Sequence, residues 1–224
     1  ELVSRALAKP PADDCILKII VTRGEGGRGY TPARGMSACV ILQWHSLPDG
    51  IQSAAQQGIV CIYCDHPLSL NPVTAGVKHL NRLEQVMASI QLGEASERFP
   101  GIREGLMCDI DGYVLEGTRS NIFAVINGRL CTPDLSQAGV DGVMRACLIE
   151  HFSAAGVSVD VRAIRQSELN LAAELFVCNS VFGVWPVASI VHVNEGEADI
   201  LFKMTSRAMS DMANHAVQDI FAHE

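Results

Sequence analysis

Lysine is scarce in this chain: Lys9, Lys18, Lys78 and Lys203 are the four among 224 residues. A side-chain amine attacks a carbonyl only when partial desolvation lowers its pKa and frees it of its proton. Lys9 precedes two prolines on a surface turn, Lys18 sits mid-strand, and Lys203 falls in a C-terminal helical pattern. Lys78 lies between an apolar loop, Pro72 to Val77, and an amphipathic stretch, His79 to Gln91. It is the candidate nucleophile, although position alone favours a solvated lysine at a helix start. Glu116 falls in an apolar strand, Val114-Leu115-Glu116-Gly117, followed by Ser120-Asn121. A carboxylate buried there needs a partner, and a protonated ring nitrogen would be one. An outward-facing strand glutamate is the plainer alternative.

The third cluster is a helix start, Ala138-Gly139-Val140-Asp141-Gly142-Val143-Met144-Arg145. Backbone N–H groups at such a start bind phosphate, and Gly142 permits close approach. Simple capping by Asp141 is the competing reading, and an anionic Asp141 would repel a phosphate unless turned away. Gly24-x-Gly26-x-x-Gly29 matches the dinucleotide fingerprint in form, but no helix pattern opens after it, so a hairpin loop is expected. Arg28 within it can meet an anionic substrate. Cys61-x-x-Cys64 lies in a strand, where residues three apart face opposite sides, so core packing is expected rather than metal binding. The seven histidines are dispersed and suggest no metal site.

These residues must be positioned by a mixed fold. A helix over Glu1 to Ala8 is stopped by Lys9-Pro10-Pro11. Strands are expected at Asp14 to Arg23, Ser37 to Ser46 and Gln57 to Asp65. The turn Leu47-Pro48-Asp49-Gly50 between them is the expected domain boundary, leaving 1–47 and 51–224. A helix over His79 to Gln91 carries an apolar stripe of Leu80, Leu83, Val86, Met87 and Ile90. Three strands follow, Gly105 to Ile110, Tyr113 to Thr118 and Asn121 to Ile126, then Arg129 to Thr132. Asp111-Gly112 and Asn127-Gly128 are read as type I′ turns between them. A helix over Asp141 to Ala155 is closed by Gly156. Strands follow at Ser158 to Ile164, Glu174 to Asn179 and Gly183 to Val193, with Pro186 marking an edge or bend. Ala198 to Phe221 reads as a C-terminal helix. The fold class is α+β, with hairpins more prominent than βαβ units.

The composition is that of a globular protein, 48% hydrophobic and 19% charged, with a formal net charge of -8. That balance argues against a nucleic-acid partner, and no apolar run reaches membrane-spanning length. Eight scattered cysteines without a visible signal peptide predict a reduced, cytoplasmic protein.

Taken together, the segments resemble one family. Val77-Lys78-His79-Leu80-Asn81-Arg82-Leu83-Glu84-Gln85-Val86 is similar to the lysine segment of the aminodeoxychorismate lyases, pyridoxal 5′-phosphate enzymes of fold type IV. Arg23 to Tyr30, Glu116 to Phe123, Gln137 to Arg145 and Val177 to Ser180 continue the likeness in the family's order. The resemblance implies an aminotransferase-like fold: part of a small N-terminal α/β domain (1–47) and a larger pseudo-barrel domain (51–224) that binds the cofactor. It implies that Lys78 holds the cofactor through its amine and moves protons, and that Glu116 pairs with the ring nitrogen, next to Asn121. The N–H groups of Val143 and Met144 would hold the phosphate with Asn179 and Ser180, and Arg28 would bind a substrate carboxylate. The implied reaction cleaves 4-amino-4-deoxychorismate to 4-aminobenzoate and pyruvate for folate synthesis, in a homodimer. A fold-type-IV aminotransferase for D- or branched-chain amino acids would use the same lysine and glutamate, and a non-catalytic subunit is the further alternative. The family begins with a segment, including a phosphate-binding arginine, that nothing here matches, so the sequence is expected to be incomplete at its start.

Overall fold

In a computed structural model, residues 2–194 and 197–222 are described. Two units divide at Asp49/Gly50. The first contains helix α1 (Leu2–Leu7) and a hairpin of β1 (Cys15–Thr22) and β2 (Cys39–Ser46). Glu1, where the helix was expected to begin, lies outside the described residues. The strands pair antiparallel from Cys15 against Ser46 to Thr22 against Cys39. Their connection is the glycine-rich loop. Gly24 is required there: its φ is +95°, and a Cβ would lie 2.0 Å from the Ser37 carbonyl oxygen. None of this unit's described residues is fully buried.

The second unit is built on nine strands among the described residues. They are β3 (Ile59–Tyr63), β4 (Ile102–Cys108), β5 (Val114–Gly117), β6 (Asn121–Ile126), β7 (Arg129–Pro133), β8 (Val159–Arg162), β9 (Glu174–Asn179), β10 (Gly183–Val193) and β11 (Ala198–Lys203). The order is β5-β4-β3-β10-β9-β6-β7-β8, with β11 added on β10. The sheet curls into a half-barrel. Its helices are α2 (Ile51–Gln57), α3 (Leu83–Arg98), α4 (Val143–Ala154), the short α5 (Gln166–Leu169) and α6 (Ala208–Ala222).

Strands β6 and β9 read as continuous apolar runs because both faces are covered. Ile122, Ala124 and Ile126 of β6 join Leu175 and Val177 of β9 in one core with Trp185, Leu106 and Phe202. The alternate residues Phe123, Phe176 and Cys178 point the other way, against Met144, Leu148 and Phe152 of α4 and Ala213 and Ala216 of α6. The Phe123 and Phe176 rings stack at 5.0 Å. No helix among the described residues is long and apolar enough to cross a membrane.

Three expectations change. Residues 198–203 form β11 rather than the start of the last helix, because they return as a hairpin onto β10. The helix expected from His79 starts at Leu83 and runs on to Arg98. It buries Ala88, Leu92 and Ala95, while its apolar stripe is exposed, Leu83 by 68% and Ile90 by 53%. Asp111-Gly112 is not a type I′ turn, since only Gly112 has positive φ. The Asp109 carboxylate accepts the N–H groups of Asp111 and Tyr113, both at 2.9 Å, and makes a longer loop. Asn127 and Gly128, at φ 51° and 75°, do form the expected I′ turn. Pro186 sits in a central strand, at the bend where β10 stops pairing with β9 and starts pairing with β3.

Candidate cofactor site

The Lys78 loop and the start of α4 are joined by main-chain hydrogen bonds. Asn71 N–H donates to Gln137 O at 2.7 Å, Gly76 N–H to Gly139 O at 2.9 Å, and Asp141 N–H to Gly76 O at 3.1 Å. Gly76, at φ 78°, turns the chain at that junction. Two of the segments singled out in the sequence, far apart along the chain, are thus adjacent here, Gly76 bonding both Gly139 and Asp141.

Lys78 is exposed and lies outside the helix that follows it. Arg82 clasps it from both sides, donating through Nη2 to Val77 O at 2.8 Å and through Nε to His79 O at 2.9 Å. The Lys78 backbone is thereby fixed while its side chain stays accessible.

Glu116 is only 4% exposed, so it is not an outward-facing strand residue. Burial pushes its pKa above the ordinary carboxylate value. Hydrogen bonds from Val140 N–H to Oε2 (2.7 Å) and from Gln85 Nε2 to Oε1 (3.2 Å) oppose that shift. The positive charges of Arg82 and Lys78 oppose it further. The turn after Glu116 is organised by a second, fully buried carboxylate, Glu104. Its Oε1 accepts from Thr118 Oγ1 at 2.5 Å and Thr118 N–H at 3.1 Å, and its Oε2 from Ser120 Oγ at 2.9 Å. Gly117 is needed for this closeness: a Cβ would lie 2.3 Å from Ser120 Oγ.

Helix α4 starts at Val143, after Gly142 at its N-cap, and no side chain among the described residues caps it. Asp141 is turned aside into an ion pair with Arg145 at 2.6 Å, so its charge is neutralised. Arg145 is itself buried, donating through Nε to Thr132 Oγ1 (3.0 Å) and through Nη2 to Pro133 O (2.9 Å). Asn121 donates to Val140 O at 2.7 Å and lies directly over Gly142. The first-turn amides of Val143 and Met144 are therefore left open, as an anion site requires.

Asn121 pairs with Cys178 across the β6–β9 ladder, which brings the Asn179-Ser180 turn to the same end of the sheet. There the Asn179 side chain is spent on the turn, accepting from Val181 and Phe182 N–H at 2.9 Å each and donating to Arg119 O at 3.1 Å. Ser180 is exposed. Arg28 lies in the first unit, on an exposed loop position. Arg82, Gln85, Glu104 and Arg145 carry the site's geometry and were not picked out by residue type. The Arg82 and Gln85 positions sit inside the lysine segment, and that was their one signal.

A cofactor with an aldehyde, a basic ring nitrogen and a phosphate fits these residues. The buried Glu116 carboxylate keeps free lone pairs after its two hydrogen bonds. Gly139 packs closely beside it: a Cβ there would lie 2.8 Å from Leu135 Cδ2 and 3.2 Å from Glu116 Oε2.

The sequence model of the class IV aminotransferases matches residues 1–190. The aminodeoxychorismate lyase of Vibrio harveyi is 32% identical over 197 residues, covering 88% of this chain and 70% of that protein. The branched-chain-amino-acid aminotransferase of Escherichia coli K12 is 25% identical over 209 residues, covering 91% of this chain and 66% of that protein. Among solved structures, 4-amino-4-deoxychorismate lyase from Pseudomonas aeruginosa is similar with a TM-score of 0.80 and 38% identity. That match covers 91% of this chain and 71% of the other.

Proposed function

Given that this chain belongs to the class IV aminotransferase family, we propose that it is a pyridoxal 5′-phosphate-dependent lyase converting 4-amino-4-deoxychorismate to 4-aminobenzoate and pyruvate. The observation that carries the reading is the 38% identity with a structurally similar 4-amino-4-deoxychorismate lyase. The 32% identity with a second lyase supports it.

Within this reading, Lys78 Nζ holds the cofactor and Glu116 faces its ring nitrogen. The amides of Val143 and Met144, with the Asn179-Ser180 turn, hold the phosphate, and Asn121 keeps the helix start in place. When bound, the cofactor supplies an electron sink that makes a substrate ring proton acidic. Lys78 Nζ takes that proton and returns one on product release. Glu116 keeps the ring nitrogen protonated because its carboxylate is aimed by Val140 and Gln85. Arg28 binds a substrate carboxylate; residues 1–47 are part of a small domain and 51–224 are the cofactor domain. The same proposal includes a homodimer at work in the cytoplasm. The eight free cysteines and the exposed α3 stripe support those two parts.

The test is an assay of the full-length protein supplied with cofactor and 4-amino-4-deoxychorismate, reading 4-aminobenzoate by fluorescence and pyruvate by a coupled dehydrogenase. Equimolar products are expected, and none from Lys78→Ala. The 25% identity with a branched-chain-amino-acid aminotransferase favours a second reading. Amino-group transfer from a branched-chain or D-amino acid to a 2-oxo acid, without lyase products, would establish it.

A further inference from the structure

A cavity of about 30 Å³ lies beside the Gln85 side chain, lined also by His79, Arg82, Glu84, Asn71 and Thr74. Two buried atoms of its lining residues, His79 Nδ1 and Gln85 Oε1, have no hydrogen-bond partner among the described residues. Buried polar atoms left unpaired are costly to a fold. The cavity has room for one water molecule, whose share of the liquid is roughly 30 Å³. A water in that cavity would serve both atoms, donating a hydrogen to Gln85 Oε1 and pairing with His79 Nδ1. The Glu116 carboxylate, an acceptor, sets the orientation of the Gln85 amide, its NH₂ towards Oε1 at 3.2 Å. The flipped amide would set its oxygen against the carboxylate.

We propose that Gln85 is a positioning residue for Glu116, and that one water bound between Gln85 and His79 completes the hydrogen bonding of the amide whose NH₂ serves the carboxylate. The water satisfies Gln85 Oε1, Gln85 aims Glu116, and Glu116 meets whatever the site binds. This deepens the proposed function, resting on Glu116 as the group that faces the cofactor ring. The other charged groups nearby are accounted for. Lys78 and Arg82 attract the Glu116 charge. Glu84 is engaged by Ser69 N–H at 3.0 Å. Glu104 of β4 is spent on Thr118 and Ser120, and Asp141 on Arg145.

The experiment uses the cofactor-free full chain with ¹³C-labelled glutamate. The Glu116 carboxyl signal is identified by its loss in Glu116→Gln and is titrated by NMR. Gln85→Met keeps the side-chain length and removes the amide. It is expected to raise the Glu116 midpoint by about one pH unit, tenfold in proton affinity, because the charged form loses its donor. Gln85→Glu, a second variant should the first not fold, is expected to raise it further, because two adjacent carboxylates share a proton. A merely structural role would lower the melting temperature and leave the midpoint in place, and an unmoved midpoint overturns the proposal. A crystal of the cofactor-free protein is expected to show density for one water between His79 and Gln85, and an empty cavity there overturns it as well. Both readouts precede any cofactor binding, so a protein that fails to bind cofactor or cleave substrate counts against the proposed function instead.

Discussion

At the scale of single residues, the centre of the molecule's chemistry is a carboxylate in an unfavourable place. Glu116 is buried with its pKa raised by desolvation, and its two hydrogen bonds and two cationic neighbours offset only part of that penalty. An acid with a raised native pKa contributes stability that is complete below its unfolded value, near 4.5. That contribution is lost as pH rises through the native value. The cofactor-free protein is therefore expected to melt at a lower temperature at pH 7.5 than at pH 5. Glu116→Gln should flatten this part of the profile, and circular-dichroism melts across that range decide it. An identical slope in the variant would rule Glu116 out as the source. Residue type alone made Lys78 and Glu116 visible as candidates. Their supports were not visible, because Arg82, Gln85 and Glu104 act through carbonyls, amides and hydroxyls that only the fold brings near.

At the scale of elements, what the sequence revealed depends on whether the deciding contact is local. Glu174–Asn179 and Gly183–Val193 were legible as strands because apolar, β-branched runs fit a sheet covered on both faces. Residues 198–203 were not, because Ala-Asp-Ile-Leu-Phe-Lys suits a helix locally and only pairing with β10 makes it a strand. The periodicity of α3 was legible as an apolar face, while the face it buries, Ala88, Leu92 and Ala95, was not. The start of α4 depends on one close approach. Gly142→Ala would place a Cβ 2.1 Å from Asn121 Oδ1. Asn121 would have to leave and surrender its bond to Val140 O. The expected cost is about 1–3 kcal/mol in urea denaturation. A further loss of cofactor affinity, read by spectral titration, should accompany it. Unchanged stability would mean that the helix start does not rely on Asn121.

At the scale of the whole molecule, the exposed stripe on α3 needs a cover. Leu83, Val86, Met87 and Ile90 of α3, with Leu80 just ahead of it, are each between 38% and 68% exposed, and exposed apolar side chains at this helical spacing suit an association surface. Light scattering on a size-exclusion column is expected to give twice the monomer mass for the protein and the monomer mass for Leu83→Glu combined with Ile90→Glu. A monomeric wild type would leave the stripe without the homodimeric role proposed for it. The bonds that join the Lys78 loop to the start of α4 run from main chain to main chain. The bonds of this seat therefore do not depend on the side chains their residues carry, except where glycine is required, as at Gly76. A frame of this kind lets inheritance separate two kinds of change. The anchor points stay put under mutation while the surrounding side chains drift towards new substrates, so lyases and aminotransferases can descend from one ancestor by small steps that each leave the seat intact.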